Sequence, residues 1–353
     1  MPFTIKRKKT QQIRVGDVMV GGDAPICVQS MTNTPTQNIP ATVSQIKRLE
    51  EAGCEIVRVA VPDMDAAHAI ASIKPRINIP LVADIHFDYR LALAAAKAGA
   101  DGLRLNPGNI GSARKIKAVV ECARDANIPI RIGINAGSLE KDLLKQYQGV
   151  TAEAMVTSAL RQIELLDSFD FSAIKLSIKA SDVHRTVEAY RLLSTQTNLP
   201  LHVGVTEAGT LIAGTVKSAL GIGLLLREGI GDTIRVSLTR DPVEEIRAGY
   251  EILRALDIRQ FGPEIISCPT CGRCDIDLFD IVEGIEQALW ARKKNVKVAV
   301  MGCVVNGPGE AREADIGIAG GSGQGVLFKK GKVVKKVPQE KLVDVLLEEV
   351  DRL

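Results

Sequence analysis

The chain has 353 residues, 46% apolar and 25% charged, enough for one large or two smaller domains with an ample core. Its 45 Lys and Arg against 42 Asp and Glu leave a net charge of only +3 and its aromatic content is 3%, so neither bulk charge nor base stacking supports a nucleic-acid partner. No run approaches the ~20 apolar residues of a membrane span, and the basic start MPFTIKRKK lacks an apolar signal core. A cytoplasmic protein with no membrane partner is expected, its seven cysteines serving as thiols or metal ligands rather than disulfides.

Residues 3–31 read as short β segments, with TIKRKKTQQIRVGDVMVGG alternating around a Gly-Asp turn and APICVQSMT as a first buried strand. One unit then repeats: a helical stretch followed by a short β-branched run ending in polar residues. The predicted helices are 41–52, 65–73, 89–97, 112–125, 140–167 with a break near Gly149, 181–194, 210–227 and 242–256. Several open on Ser, Thr or Asp and close on Gly, as helix ends prefer. The runs between them, VQSMT, EIVRVAV, LVADIHF, GLRLNPG, IRIGINAG, AIKLSIK, LHVGVTE and TIRVSLT, make eight strands. Eight alternating units predict an α/β fold, a closed (β/α)8 TIM-type barrel over residues 1–262. An open doubly wound sheet is the alternative that strand order alone would separate. The composition changes near Phe261. Residues 263–353 carry a cysteine-rich stretch, a helix 278–294, a strand VKVAVMG, a Gly-rich turn, a hairpin GVLFKKGKVVKKV and a final helix 339–353. This predicts a small C-terminal α+β domain.

Side chains alternate along a strand, so parity assigns faces. Arg58, Asp84, His86, Arg104, Asn106, Arg131, Asn135, Lys175, Ser177, Lys179, His202, Arg235 and Ser237 all fall opposite apolar neighbours. The outer face of a parallel barrel packs on helices and must be apolar, so this polar set lines the interior. Near the C-terminal mouth, it reaches ligand. Arg58, Arg104, Arg131, Lys175 and Arg235 would converge there, with Asp84 and Glu207 as the acidic residues nearby. Such an excess of cations in a low dielectric calls for a multiply charged anion, most simply a diphosphate. The competing possibility is that individual arginines pair with carboxylates at the barrel floor. His68 and His184 fall on helix surfaces, and GIAGGSGQG at 317–325 lacks the Lys-Ser/Thr of a P-loop and reads as a β-turn region. Cys27, Cys54 and Cys122 read as small buried apolar residues.

Cys268, Cys271 and Cys274 in SCPTCGRC, with Cys303 in MGCVVNGPGE, have metal-site spacing. A closed four-thiolate zinc site is one possibility. Three sulfurs so close are hard to place on one ion, however, and spacing does not say which is spare. A three-thiolate iron–sulfur cluster is the other possibility.

These motifs, with VQSMTNT, ADIHFD, LRLNPGN, RIGINAGS, KLSIKASD and HVGVTEAG, resemble the GcpE family over nearly the whole chain. The resemblance implies a 4Fe-4S cluster held by Cys268, Cys271, Cys303 and Glu310, with Cys274 spare. It implies two-electron reductive ring opening of 2-C-methyl-D-erythritol 2,4-cyclodiphosphate with loss of water, fed by flavodoxin or ferredoxin. It assigns Arg58, Arg104, Arg131, Lys175 and Arg235 to the cyclic diphosphate, with further contacts from His86, Asn106, Asn135 and Ser237. Glu207 becomes the candidate acid/base beside Glu310, although its parity points outward and it must act from a strand end. The family pattern is also a homodimer whose active site is shared between subunits. A zinc-stabilised lyase or aldolase acting on a phosphorylated metabolite is the rival function, and an electron-transfer module with a metabolite-binding barrel is a third.

Overall fold

The structure, a computed structural model, describes residues 5–272, 274, 276–292, 294–303, 311–321 and 323–353. The chain divides into two compact units, Met1–Arg259 and Gln260–Leu353.

The first unit opens with the hairpin β1 (Ile13–Val15) and β2 (Val18–Val20). Gly16 makes its turn at φ +59°, a left-handed value that glycine adopts without strain. The hairpin buries Ile13, Val15 and Val20 against Cys27, Ile56 and Val82 at the starts of three barrel strands. It therefore plugs the barrel floor.

The barrel strands are β3 (Cys27–Met31), β4 (Ile56–Ala60), β5 (Leu81–Asp84), β6 (Gly102–Leu105), β7 (Ile130–Asn135), β8 (Ile174–Lys179), β9 (His202–Val203) and β10 (Thr233–Ile234). All pair in parallel in the order β8-β7-β6-β5-β4-β3-β10-β9, and a bridge between Leu176 and Leu201 closes the ring. The predicted (β/α)8 barrel is present. Its last two strands are much shorter than LHVGVTE and TIRVSLT suggested. Gly204 explains part of this: a Cβ there would stand 2.4 Å from the Arg235 carbonyl oxygen. The backbone around Arg235 comes closer to Gly204 than any residue with a side chain would allow.

The helices around the barrel are α1 (Ile39–Glu51), α2 (Met64–Ile73), α3 (Tyr89–Lys97), α4 (Pro107–Ile110), α5 (Ala113–Asp125), α6 (Lys141–Gln146), α7 (Ala152–Asp167), α8 (Val183–Gln196), α9 (Leu211–Arg227) and α10 (Pro242–Ala255). Side-chain caps set several starts: Asp63 accepts from Ala66 N at 2.8 Å, and Asp182 from Arg185 N at 2.7 Å. Each such bond satisfies an amide that the helix leaves unpaired. The short α4 was not anticipated; Asn106 caps it by accepting from Gly108 N at 3.2 Å.

The second unit is a five-stranded sheet in the order β11-β12-β13-β14-β15, comprising β11 (Glu264–Ser267), β12 (Lys297–Met301), β13 (Ile316–Ala319), β14 (Gln324–Lys329) and β15 (Lys332–Pro338). The first three are parallel and the last two antiparallel. Helices α11 (Leu278–Arg292) and α12 (Leu342–Asp351) cover it, with Ile285, Leu289, Leu342 and Leu346 packed on Val298, Val300, Ile316 and Ile318. The Gly-rich run forms strands and their connection. Gly317 lies under the Phe328 ring, where a Cβ would stand 2.4 Å from Cζ. Trp290 packs beside Phe261, with ring centroids 6.5 Å apart. Among the described residues, no helix is long and apolar enough to cross a membrane.

Candidate active site

Six long cations enter the barrel interior: Arg58, Arg104, Arg131, Lys175, Lys179 and Arg235. Two carboxylates face them. Asp84 holds Arg104 Nη1 at 3.0 Å and Arg58 Nε at 3.5 Å, with His86 Nε2 at 3.6 Å. Glu245, which reaches in from α10, holds Arg235 Nη2 at 3.4 Å and accepts from Ser30 Oγ at 3.1 Å and Leu238 N at 3.0 Å. Met31 joins the two groups. Its sulfur lies 2.9 Å from Arg58 Nη2 and 3.9 Å from Arg235 Nη1.

Glycines on the inner face make room for these side chains. A Cβ at Gly133 would stand 2.5 Å from Arg104 Nε, and one at Gly204 would stand 2.8 Å from Lys179 Nζ. Arg104 also donates to the Gly133 carbonyl at 3.4 Å, and with the Asn135 side-chain amide turned over its oxygen accepts from Arg104 Nη2 at 3.2 Å.

Burial and mutual repulsion act on every member. Burial pushes Arg58 down to about 10, with Asp84 opposing and Arg235 and Arg104 adding to the shift. Burial first, then the charges of Arg58 and Arg104, holds Arg131 well below its ordinary value. Lys175 falls to about 7, through burial and then Arg131. Lys179 is lowered by burial and the same arginine. His202 is kept neutral by burial and by Lys179; its Nδ1 is 2.8 Å from Thr233 Oγ1. Burial pushes Asp84 up, but Arg58, His86, Arg104 and Arg131 together hold its carboxyl far below the usual range. Among the described residues, Arg131 Nε and Nη1, Lys175 Nζ and His202 Nε2 are sealed from solvent without a partner. Unpaired buried cations are costly, so a site built of them is built for an anion.

The residues singled out in the sequence occupy three levels. His86, Asn106, Asn135 and Ser237 lie at or beyond the C-terminal ends of β5, β6, β7 and β10. Arg58, Arg104, Arg131 and Arg235 stand within the lumen. Lys175 lies lower, at the second residue of β8, opposite Arg131. Glu207 lies beyond β9 in the loop before α9, exposed, at φ +51°. Strand parity does not apply there, and among the described residues nothing pairs with its carboxylate. Lys179 and Glu245 were missing from the sequence-based set of ligand residues. Lys179 had the right parity, and the inward Gly204 was its second signal. Glu245 sits on a helix, where an acidic residue reads as solvated; only the fold turns it inward. His68 and His184 are exposed, as expected. Cys27 and Cys54 are buried, whereas Cys122 is half-exposed because α5 leaves its edge uncovered.

In the second unit, Cys268 follows β11 and Cys303 lies just beyond β12, which pairs with β11. Gly302 N donates to Cys268 Sγ at 3.2 Å. A Cβ on Gly302 would stand 2.5 Å from Cys274 Sγ and 3.5 Å from Cys268 Sγ. Cys271 is exposed on the turn in between, its carbonyl accepting from Cys274 N at 3.0 Å. Cys274 Sγ donates to the Ile276 carbonyl at 3.3 Å. Among the described residues, no three His, Cys, Asp or Glu side chains stand close enough to hold a metal ion. Glu310 lies outside the described residues. The donor set nevertheless fits an iron–sulfur group: several cysteines gather at one end of the sheet, and a backbone N–H points at a sulfur.

A parallel barrel with unpaired cations in its interior, on a chain whose second unit carries cysteines at one sheet end, defines an α/β barrel protein with a cysteine-bearing C-terminal unit. Family models narrow this. The GcpE TIM-barrel domain matches residues 10–250 and the GcpE protein C-terminal domain matches 264–352. The chain belongs to the GcpE family. It is 58% identical over 347 residues, 98% of each chain, to a Geobacter sulfurreducens protein named 4-hydroxy-3-methylbut-2-en-1-yl diphosphate synthase (flavodoxin). A Thermodesulfovibrio yellowstonii protein of the same name is 60% identical over 98% of this chain and 99% of its own. Among solved structures, dihydropteroate synthase from Stenotrophomonas maltophilia superposes with a TM-score of 0.51 at 14% identity, covering 70% of this chain and 98% of its own. That likeness concerns the fold alone.

Proposed function

We propose that this chain catalyses the two-electron reductive opening of 2-C-methyl-D-erythritol 2,4-cyclodiphosphate to 4-hydroxy-3-methylbut-2-enyl diphosphate, with flavodoxin as electron donor. The observation that carries the substrate class is the barrel interior, where Arg104, Arg131, Lys175 and Lys179 are buried, Arg58 and Arg235 are half-buried, and Asp84 and Glu245 are the carboxylates paired with them among the described residues. A ring diphosphate supplies the missing negative charge.

The barrel, residues 1–262, acts as the substrate domain, and residues 263–353 act as the cluster domain. Arg58, Arg104, Arg131, Lys179 and Arg235 clamp the diphosphate. Asp84 and Glu245 fix the forks of Arg104, Arg58 and Arg235, so little reorganisation is needed as charge builds on the opening phosphate. Lys175 adds positive potential from below. His86, Asn106, Asn135 and Ser237 offer polar contacts at the rim. Glu207, unpaired at the mouth, delivers the proton with which the departing hydroxyl leaves as water. Cys268, Cys271, Cys303 and Glu310 hold a 4Fe-4S cluster, and Cys274 stays a thiol. Bound there, the cluster supplies electrons one at a time. The carboxylate of Glu310 is a harder and weaker ligand for iron than a thiolate. A cytoplasmic setting suits seven cysteines none of which is in a disulfide.

The protein acts as a homodimer through α9. Ile212, Val216, Leu220 and Leu224 recur every fourth residue on that helix and are 80%, 53%, 53% and 45% exposed. Such a stripe on a monomer invites aggregation unless it is covered. Gly223 lies beside it at mid-helix, and a Cβ there would meet nothing within 4 Å. Glycine at such a position costs about 1 kcal/mol against alanine, and packing inside the chain does not require it; close approach of another backbone does. An electron donor must leave after each delivery, so the permanent cover is a second copy.

The decisive experiment is anaerobic: protein containing iron and sulfide, given the cyclodiphosphate and dithionite, should form the linear diphosphate. Zinc in place of iron, or cyclodiphosphate that binds without turnover, would favour the lyase or the electron-transfer reading instead.

A further inference from the structure

The cysteine end of the second unit holds one sulfur that the proposed ligand set leaves out. Cys274 Sγ and Cys268 Sγ meet across Gly302: a Cβ there would stand 2.5 Å from the first and 3.5 Å from the second. Glycine has no side chain, so nothing at position 302 parts the two thiols. Gly302 N donates to Cys268 Sγ at 3.2 Å and holds that sulfur beside the glycine. Cys274 N donates to the Cys271 carbonyl at 3.0 Å, a turn that folds the chain back on itself. Cys268 and Cys274 both pack, half-buried, against the apolar cluster that includes Ile276, Leu278 and Val300, whereas Cys271 is exposed on the turn.

Spacing alone points to a different pair. In C-P-T-C-G-R-C the sulfurs closest in sequence to Cys268 and to Cys274 both belong to Cys271. The fold instead brings the two outer cysteines to one glycine. A thiol in that place has a chemical use. Peroxide converts a cysteine sulfur to sulfenic acid, which goes on irreversibly to sulfinic acid unless a second thiol condenses with it first. A cluster ligand oxidised that far cannot bind iron again. Cys274 offers Cys268 the second thiol from within the same turn.

We propose that Cys274 is the resolving thiol of Cys268: once the cluster has been lost to peroxide, the two close into a disulfide that keeps Cys268 recoverable. This rests on the ligand set given above, which leaves Cys274 unbound. In the first step the Cys268 sulfur bonds to a peroxide oxygen, the O–O bond breaks, and sulfenic acid and water result. In the second the Cys274 sulfur attacks the Cys268 sulfur, the S–O bond breaks, and the hydroxyl leaves as water with the Cys274 proton. Two thiols have then given two electrons to one peroxide. A dithiol reductant returns two electrons and two protons by exchange, and Cys268 is again free to bind iron.

The test starts from anaerobic holoenzyme treated with hydrogen peroxide, alkylated and digested with trypsin, since cleavage after Arg273 parts Cys274 from Cys268 and Cys271. Mass spectrometry should find two peptides joined through Cys268 and Cys274 as the main disulfide, and dithiothreitol should separate them. Cys274→Ser should keep its cluster absorbance before peroxide and carry sulfinic acid at Cys268 after it. Given dithiothreitol, iron and sulfide, that variant should lose most of the absorbance that the unsubstituted protein regains. A main disulfide joining any other pair, or sulfinic acid and recovery equal in the two proteins, would overturn the role of Cys274 and leave the ligand set standing. Absorbance missing from Cys274→Ser before any peroxide would make Cys274 a ligand, overturning the ligand set and this role with it. Should the variant fail to fold, the disulfide found in the unsubstituted protein decides.

Discussion

The two units carry their chemistry in opposite ways. In the barrel, Arg58, Arg104, Arg131, Lys175 and Lys179 stand on strands, and the sheet fixes their spacing before any ligand arrives. In the C-terminal unit the strands are apolar, with Val298, Val300, Ile316 and Ile318 all buried, and the cysteines hang from their ends. Strand-borne charge is preorganised and costs stability. Loop-borne sulfur costs little until it is gathered.

Metal ligands give the sharpest break in that contrast. Cys268→Ser, Cys271→Ser or Cys303→Ser should each abolish cluster absorbance and turnover, while Cys274→Ser keeps the absorbance. Retained absorbance in the Cys303 variant would remove the ligand assignment.

On the barrel side, Lys179→Met should lower kcat/KM by about 10²- to 10³-fold, the usual cost of losing one charge-stabilising donor. The same change should raise the Tm of the substrate-free protein, because burial and Arg131 both disfavour the lysine charge there. A variant that loses Tm and activity together would show that Lys179 is structural.

Glu207 sits between the two regimes, on a loop but at the barrel mouth. Glu207→Gln should reduce kcat about 10²-fold with little change in KM. An equal rise in KM would make it a binding residue instead of the proton donor.

For the shared face, Leu220→Asp should convert dimer to monomer in sedimentation measurements at micromolar protein. A stable dimer after that change would exclude the α9 surface.

The smallest effect is a pH slope. Lys175 has a folded pKa of about 7, below its ordinary 10.5. Between these values the unfolded chain holds a proton that the folded chain has lost, so stability rises with pH. Substrate-free protein should melt at higher temperature at pH 9 than at pH 7, and saturating substrate should flatten the slope. A flat profile without substrate would mean that Lys175 is paired.

Much of this was legible residue by residue. Parity placed Arg104 and Arg131 inside because IRIGIN and GLRLN alternate cleanly with apolar neighbours that helices must cover. The same rule gave Lys179, but nothing in the chain ranked it above Lys175; the two differ in depth because Lys175 stands near the start of β8 and Lys179 at its end. Glu207 defeated parity because its strand ends at Val203. Glu245 defeated it because an acid on an amphipathic helix looks solvated until a short strand such as β10 leaves space for it to enter. The cysteine spacing suggested a metal centre, and the family motifs supplied the ligand set proposed for it. The geometry of those sulfurs belongs to the ends of β11 and β12, which meet only in the folded unit.

The sequence by itself determined the barrel, its inward cations and the cysteine-rich unit, because periodicity and composition are local and each strand must bury one face. Tertiary structure alone decided which cations are paired and which carboxylates reach them. Those depend on strand stagger and ring closure, which bring residues as far apart as Met31 and Arg235 within 3.9 Å.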